Sequence, residues 1–205
     1  QSDGKLVVGG RFTTLDPGVA GTPVTRNYVA RLDTDGKVDT GFDLQLDQSP
    51  GNLVASVVAL PNNQLLVGGA FTALKTGGTP VYRNRLARVN GDGSVDTSFD
   101  ADTGASAGAP VEVVTVQSDG RVLAAGTFAA FGGTNGQNFA RFNLDSTPDT
   151  TFAPTLNGPV YALGQQLTKG EAVSTPKTGF AWLQNNGQLK SFTFPSDVTV
   201  VSVRT

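Results

Sequence analysis

LVVGGRF at 6–12, LLVGGAF at 65–71 and VLAAGTF at 122–128 are three writings of one phrase. A second phrase follows each of them: ARLDTDGKVDTGF at 30–42, ARVNGDGSVDTSF at 87–99 and ARFNLDSTPDTTF at 140–152. The phenylalanines closing the first phrase are 59 and 57 residues apart, and those closing the second are 57 and 53 apart. A period in the fifties, built from short β-branched runs between glycines, marks an array of small sheets.

The second copy shows the unit in full. Residues 53–60 (LVASVVAL) are apolar and β-branched and read as a strand, with Pro61-Asn62-Asn63 as a turn. Residues 64–71 form a second strand, 72–82 a Gly/Pro-rich loop, 83–89 a third strand, 90–93 a turn and 94–99 a fourth strand. Four antiparallel strands make a blade, and no segment carries a sustained helical period. The third copy repeats the pattern at 111–116, 121–128, 139–142 and 148–152. A degraded fourth runs 160–165, 171–175, 180–183 and 189–194. The first copy lacks its first strand, and the matching run VTVVSV stands at 198–203, similar to VEVVTV at 111–116.

The expected fold is therefore an all-β propeller of four-stranded blades. It has four blades, with the C-terminal strand closing the first and removing an open edge. The whole chain, 1–205, reads as one such domain, with repeats at about 1–46, 51–104, 109–157 and 158–197. An array cut at both ends in the same phase gives the same strand arithmetic, so a piece of a larger array, or pairing with another copy, stays open. Gln1 in place of an initiating Met reads as a processed or excised start.

In the third strand, Ala30/Leu32, Ala87/Val89 and Ala140/Phe142 share one face, and Val29/Arg31, Leu86/Arg88 and Phe139/Arg141 the other. Both faces are largely apolar, as in a sheet sandwiched between neighbours. Arg31 and Asp39, Arg88 and Asp96, and Arg141 and Asp149 are each eight residues apart. Across a short turn these positions face one another, which predicts cross-strand ion pairs, partly buried and bidentate. In the fourth copy Trp182 and Lys190 hold those places, which suits a cation–π contact.

These motifs resemble the delta-60 repeat, a β-propeller-like repeat of bacterial secreted and surface proteins. The resemblance rests on Asp3-Gly4-Lys5 through Phe12 with Arg26-Asn27 and residues 30–42, on 64–71 with 83–99, and on 119–128 with 138–152. The fourth quarter departs from it, lacking the GG-x-F element. The resemblance implies an extracellular or cell-surface propeller without catalysis, often one module of a larger protein, and brings no catalytic residues with it.

Composition narrows the chemistry. The net charge is −2 with no basic run, so the clustered cations that nucleic acid requires are missing. No apolar run approaches the roughly 20 residues of a membrane helix. The chain has no Cys, Met or His. That excludes disulfides, His or Cys metal sites and Ser-His-Asp triads. Asp33, Asp35 and Asp39, copied at Asn90, Asp92 and Asp96, resemble a calcium loop. The same residues before Gly36 and Gly93 are turn formers, and the turn is the preferred reading, with no cofactor expected. Glu112 and Glu171 are the two acids outside the repeat pattern, and each is isolated in sequence. A carboxylate pair for glycoside cleavage is the remaining catalytic option.

Three connections after GG-x-F, at 13–25, 72–82 and 129–137, vary between copies and fall on one rim, where binding usually resides. Tyr28, Tyr82, Phe131 and Trp182 are the aromatic candidates there. The expected function is adhesion or recognition of a surface protein or glycan. The alternatives are a carbohydrate-binding or carbohydrate-cleaving propeller, and a structural spacer that assembles with other modules or with itself.

Overall fold

The computed structural model describes residues 1–15, 23–47, 51–101, 109–129, 136–152, 154, 156–165, 171–175 and 180–184. From residue 165 onward, the description is of the backbone alone. All regular structure among these residues is β, arranged in small sheets. The chain divides into two compact units, Gln1–Ala101 and Asp102–Thr205.

Among the described residues the first unit has ten strands: β1 (Leu6–Gly9), β2 (Thr14–Leu15), β3 (Val24–Thr25), β4 (Val29–Leu32), β5 (Leu44–Leu46), β6 (Leu53–Ala59), β7 (Leu65–Ala70), β8 (Ala73–Thr76), β9 (Thr79–Tyr82) and β10 (Leu86–Val89). Strand β7 is the centre of the antiparallel sheet β6-β7-β10. Strands β1 and β4 repeat the β7–β10 half of it, with Leu6 opposite Leu32 as Leu65 is opposite Val89. One core joins the two copies: Val29, Phe42, Leu44, Leu46, Val54, Leu65, Val67, Phe71, Leu74, Ala87 and Val89 are buried in a single cluster. The backbone links them too, because Val54 donates its N–H to the Gly10 carbonyl at 3.1 Å.

The second unit holds β11 (Val111–Val116), β12 (Val122–Gly126), β13 (Phe139–Phe142), β14 (Ala162–Gln165), β15 (Glu171–Thr175) and β16 (Phe180–Gln184). Strands β11-β12-β13 repeat the sheet of the second copy. Leu123, Ala125, Phe139, Phe152, Leu156 and Val160 form its core. Val160 donates to the Gly126 carbonyl at 3.1 Å, as Val54 does to Gly10. The fourth quarter departs from the antiparallel meander. Strand β14 pairs antiparallel with β15 but parallel with β16, and β15 pairs with β16. The expected strands at 189–194 and 198–203 lie outside the described residues.

The local reason for the paired sheets is a repeated bulge. In β6 the register slips between Val54 and Ser56, leaving Ala55 unopposed. In β11 it slips between Val111 and Val113, leaving Glu112 unopposed. The bulge pushes the first strand's carbonyl onto the facing glycine. A Cβ on Gly69 would overlap the Leu53 carbonyl oxygen, and one on Gly126 the Pro110 carbonyl oxygen. The last glycine of the second and third phrases is thus required by backbone approach.

Two sequence expectations need correction. The fourth strand of each of the first three copies is not a strand. Its contact with the third strand is a single bridge: Leu32 with Val38, Val89 with Val95, and Phe142 with Pro148. The Asp that follows curls the chain. Asp39 accepts the Gly41 N–H on Oδ1 and the Phe42 N–H on its carbonyl, a local side-chain bond that competes with the ladder. The segment 72–82 is likewise not a loop. It forms the hairpin β8–β9, turning at Gly77-Gly78, where both φ values are positive (+69° and +126°), as a two-residue hairpin turn demands. Pro80 is tolerated because β9 is the edge of the sheet β5-β8-β9. Strand β5 was not anticipated. In the first copy β2 and β3 form the equivalent hairpin stem, with Thr14 opposite Thr25.

Candidate functional site

The most regular side-chain arrangement is an arginine, an aspartate and a phenylalanine, built three times. Strand β4 presents Arg31, and the turn after it returns Asp39 beside it, with the Asp39 N–H on the Arg31 carbonyl. Arg31 Nε meets Asp39 Oδ2 at 2.9 Å, Arg88 Nε meets Asp96 Oδ2 at 2.7 Å, and Arg141 Nε meets Asp149 Oδ2 at 2.9 Å. Arg31, Arg141 and Asp149 are buried. The guanidinium does not grip both oxygens of the carboxylate, as bidentate pairing would. Oδ1 is already held by the residue two positions on: Gly41 N–H, Ser98 N–H and hydroxyl, Thr151 N–H and hydroxyl. Each carboxylate therefore fixes a turn with one oxygen and a strand with the other.

The third member was not visible from spacing. The Arg31 guanidinium lies over the Phe42 ring at 4.6 Å, Arg88 over Phe99 at 4.8 Å, and Arg141 over Phe152 at 4.2 Å. A cation on a buried ring adds electrostatic attraction and ties the turn's end to the strand. Trp182 lies in β16 opposite Val173, its side chain undescribed, and Lys190 lies outside the described residues.

A second arginine also staples the turn. Arg83 donates to the carbonyls of Phe99, Thr97 and Tyr82 and pairs with Asp100 at 3.2 Å. Its counterpart Arg26 donates to the Thr25 carbonyl. The repeated Arg-Asn dipeptide was the available signal.

These contacts set the carboxylate charges. The Lys5 ammonium, with Gly41 N–H and Arg31 assisting against burial, lowers Asp39 to about 2. Burial raises the pKa of Asp96, but the Ser98 hydroxyl and N–H and the Arg88 guanidinium together bring it down to about 2. Asp149 is lowered likewise, with burial opposing and Thr151 and Arg141 prevailing. Depressed carboxylates bind fewer protons folded than unfolded, so their stabilisation is full above the unfolded value near 3.9 and is lost as pH falls through about 2. Asp39 and Asp96 are each expected to contribute about 2 kcal/mol at neutral pH. Urea midpoints should hold level down to about pH 4.5 and drop steeply between about pH 4 and 2. A midpoint level to pH 2 would contradict the assignment.

Two of the three calcium-like residues, Asp33 and Asp39, are occupied by the turn itself. Asp33 Oδ1 accepts the N–H groups of Asp35 and Lys37, and Asp39 is bound as described. Among the described residues no group of three or more acidic side chains has metal-holding geometry. Glu112 sits, half-buried, on the β11 bulge, and Glu171 opens β15.

The aromatic candidates separate. Tyr28 packs against the core cluster and has φ +71°, because its N–H and carbonyl are held by Phe12 and Gly10. Tyr82, at the end of β9, is 74% exposed. Phe131 lies outside the described residues.

Repeated antiparallel sheets, each closed by the same Arg–Asp–Phe turn, define a β-propeller-type repeat protein. The chain belongs to the domain of unknown function (DUF5122) beta-propeller family, whose model matches residues 1–42, 60–99 and 117–152, more than half of the sequence. Each matched segment ends at or beside a described element of that unit: Phe42, Phe99 and Phe152 are the arginine-bearing rings. A search of the curated proteins found no match. Among the described residues no helix is long and apolar enough to cross a membrane.

Proposed function

We propose that the chain is a non-catalytic recognition module of the delta-60 type, displayed outside the cell, that binds a surface protein or glycan through its connecting hairpins. The observation that carries this reading is Tyr82. It is exposed on a hairpin whose other strand, β8, is anchored through buried Leu74 and paired with β5. Pro80 shares its face two residues earlier, so a flat apolar pair stands on a rigid support. The carboxylates of the Arg–Asp–Phe units serve turns and strands, which favours binding over catalysis. The test is a glycan array and surface-protein extracts probed with the native chain and with Tyr82→Ala. Tyr82→Ala should weaken binding about tenfold, the usual effect of losing one aromatic anchor. Undiminished binding would remove Tyr82 from the site. Release of reducing sugar would replace the reading with carbohydrate cleavage.

Completion of the first copy belongs to the same proposal: four blades, the first closed by residues 198–203. Among the described residues β1 pairs with β4 alone. Leu6 is 58% exposed where its counterpart Leu65 is fully buried. That open edge favours strand addition, and the same observation supports the alternative of a spacer that assembles with another copy.

A further inference from the structure

The chain contains Asn-Gly at 90–91, 135–136, 157–158 and 186–187. The dipeptide is chemically distinctive because glycine, lacking Cβ, lets its own amide nitrogen approach the preceding side chain. Two of these sites are described at both residues, and they differ sharply.

Asn90 is restrained. Its Nδ2 donates to Ser94 Oγ at 3.0 Å and its Oδ1 accepts Gln64 Nε2 at 2.8 Å. Its backbone N–H is held by the Ser94 carbonyl, and the Gly91 carbonyl accepts from Arg31. Asn157 has none of this. It is exposed, lies in a bend between the third and fourth copies, and its side chain bonds to no described residue. Space around Gly158 is open: no described residue comes within 4 Å of where a Cβ would stand.

We propose that Asn157 is a site of spontaneous backbone-assisted deamidation, and that the fold protects Asn90 from the same reaction. The Gly158 amide nitrogen, losing its proton, attacks the Asn157 side-chain carbonyl carbon. The bond to the side-chain nitrogen breaks and ammonia leaves, closing a five-membered imide. Water then opens the imide at either carbonyl, giving aspartate or isoaspartate. Water is the co-reactant, ammonia the by-product, and nothing is oxidised.

The position gives the change a consequence. Leu156 and Val160 are both buried in the second unit's core, and Val160 N–H is bonded to Gly126. Isoaspartate lengthens the main chain by one carbon between these two fixed points, and either product adds a negative charge beside them. The join between the third and fourth copies is therefore where the modification acts.

The experiment incubates the native chain at mildly alkaline pH and follows it by mass spectrometry after tryptic cleavage. Cleavage at Lys and Arg places Asn90, Asn135 and Asn157 in separate peptides, 89–121, 122–141 and 142–169. The 142–169 peptide should gain one mass unit and split into two chromatographic isomers. The 89–121 peptide should react at least about tenfold more slowly, since its reaction must first break two hydrogen bonds. In denaturing urea the two rates should converge, and Asn157→Gln should abolish the mass change at 142–169. Equal rates at Asn90 and Asn157 in the native chain would overturn the proposal, as would an unreactive Asn157 or no acceleration of Asn90 on unfolding.

Discussion

Asp149→Ala is expected to destabilise the second unit by about 3–5 kcal/mol, the range for removing one partner of a buried ion pair. The reason lies in what stays behind. Arg141 is buried, stacked on Phe152, and its other polar contact is a 3.4 Å bond to Gln117. Arg121, 4.0 Å from Asp149, is half exposed and can turn to water. A guanidinium without its carboxylate therefore remains in a low-dielectric site. The turn also loses the two bonds from Thr151 to Oδ1. Asp145→Ala is the matched control: that carboxylate also caps a turn, at Thr147, but stands in solvent with no arginine. Urea unfolding of the two variants should separate them clearly, and a midpoint for Asp149→Ala equal to that of Asp145→Ala would refute the buried-pair account. Arg141→Met with Asp149→Ala should recover part of the loss, because the stranded charge is then gone.

Gly69→Ala is expected to cost about 2–4 kcal/mol, at or above the usual range for overpacking. Its Cβ would meet the carbonyl of Leu53, a backbone atom held by the bulge, so no rotamer change can relieve it. Gly126→Ala should behave alike against Pro110. Gly10 is the informative third member. A Cβ there would meet the Phe12 ring, at 3.3 Å, and no backbone atom among the described residues. If residues 198–203 close the first copy with the bulge seen in β6 and β11, a carbonyl will lie against Gly10, and Gly10→Ala will be as costly as Gly69→Ala. If β1 keeps a free edge, Gly10→Ala will change stability by less than about 1 kcal/mol. Thermal or urea unfolding of these variants reads the closure directly.

The sequence shows some of this and hides the rest for physical reasons. The Arg31–Asp39 spacing is legible because facing across a hairpin depends on residues close in the chain. The Phe42 ring over Arg31 is not, since it depends on how the Asp39 side chain turns the backbone afterwards. Strand β5 hides in Asp43-Leu-Gln-Leu-Asp47: the alternation is present but too short to register, and its partner β8 lies in the next copy. Gly77-Gly78 reads equally as loop or as hairpin turn, and the positive φ at both decides it. Tyr28 and Tyr82 look alike in sequence. One is half-buried, packed against the core and held by bonds to Phe12 and Gly10, and the other stands exposed on an edge strand.

The linker at residues 43–59 bears on how such a chain grows. It lies between two segments matched by the family, yet its strands β5 and β6 ladder onto β8 and β7 of the copy downstream, while Val54 reaches back to Gly10. A gene duplication running from one closing phenylalanine to the next inherits an acceptor sheet together with the strands that complete it. Within the first unit the second copy is thus fastened to the first by strands that it carries itself.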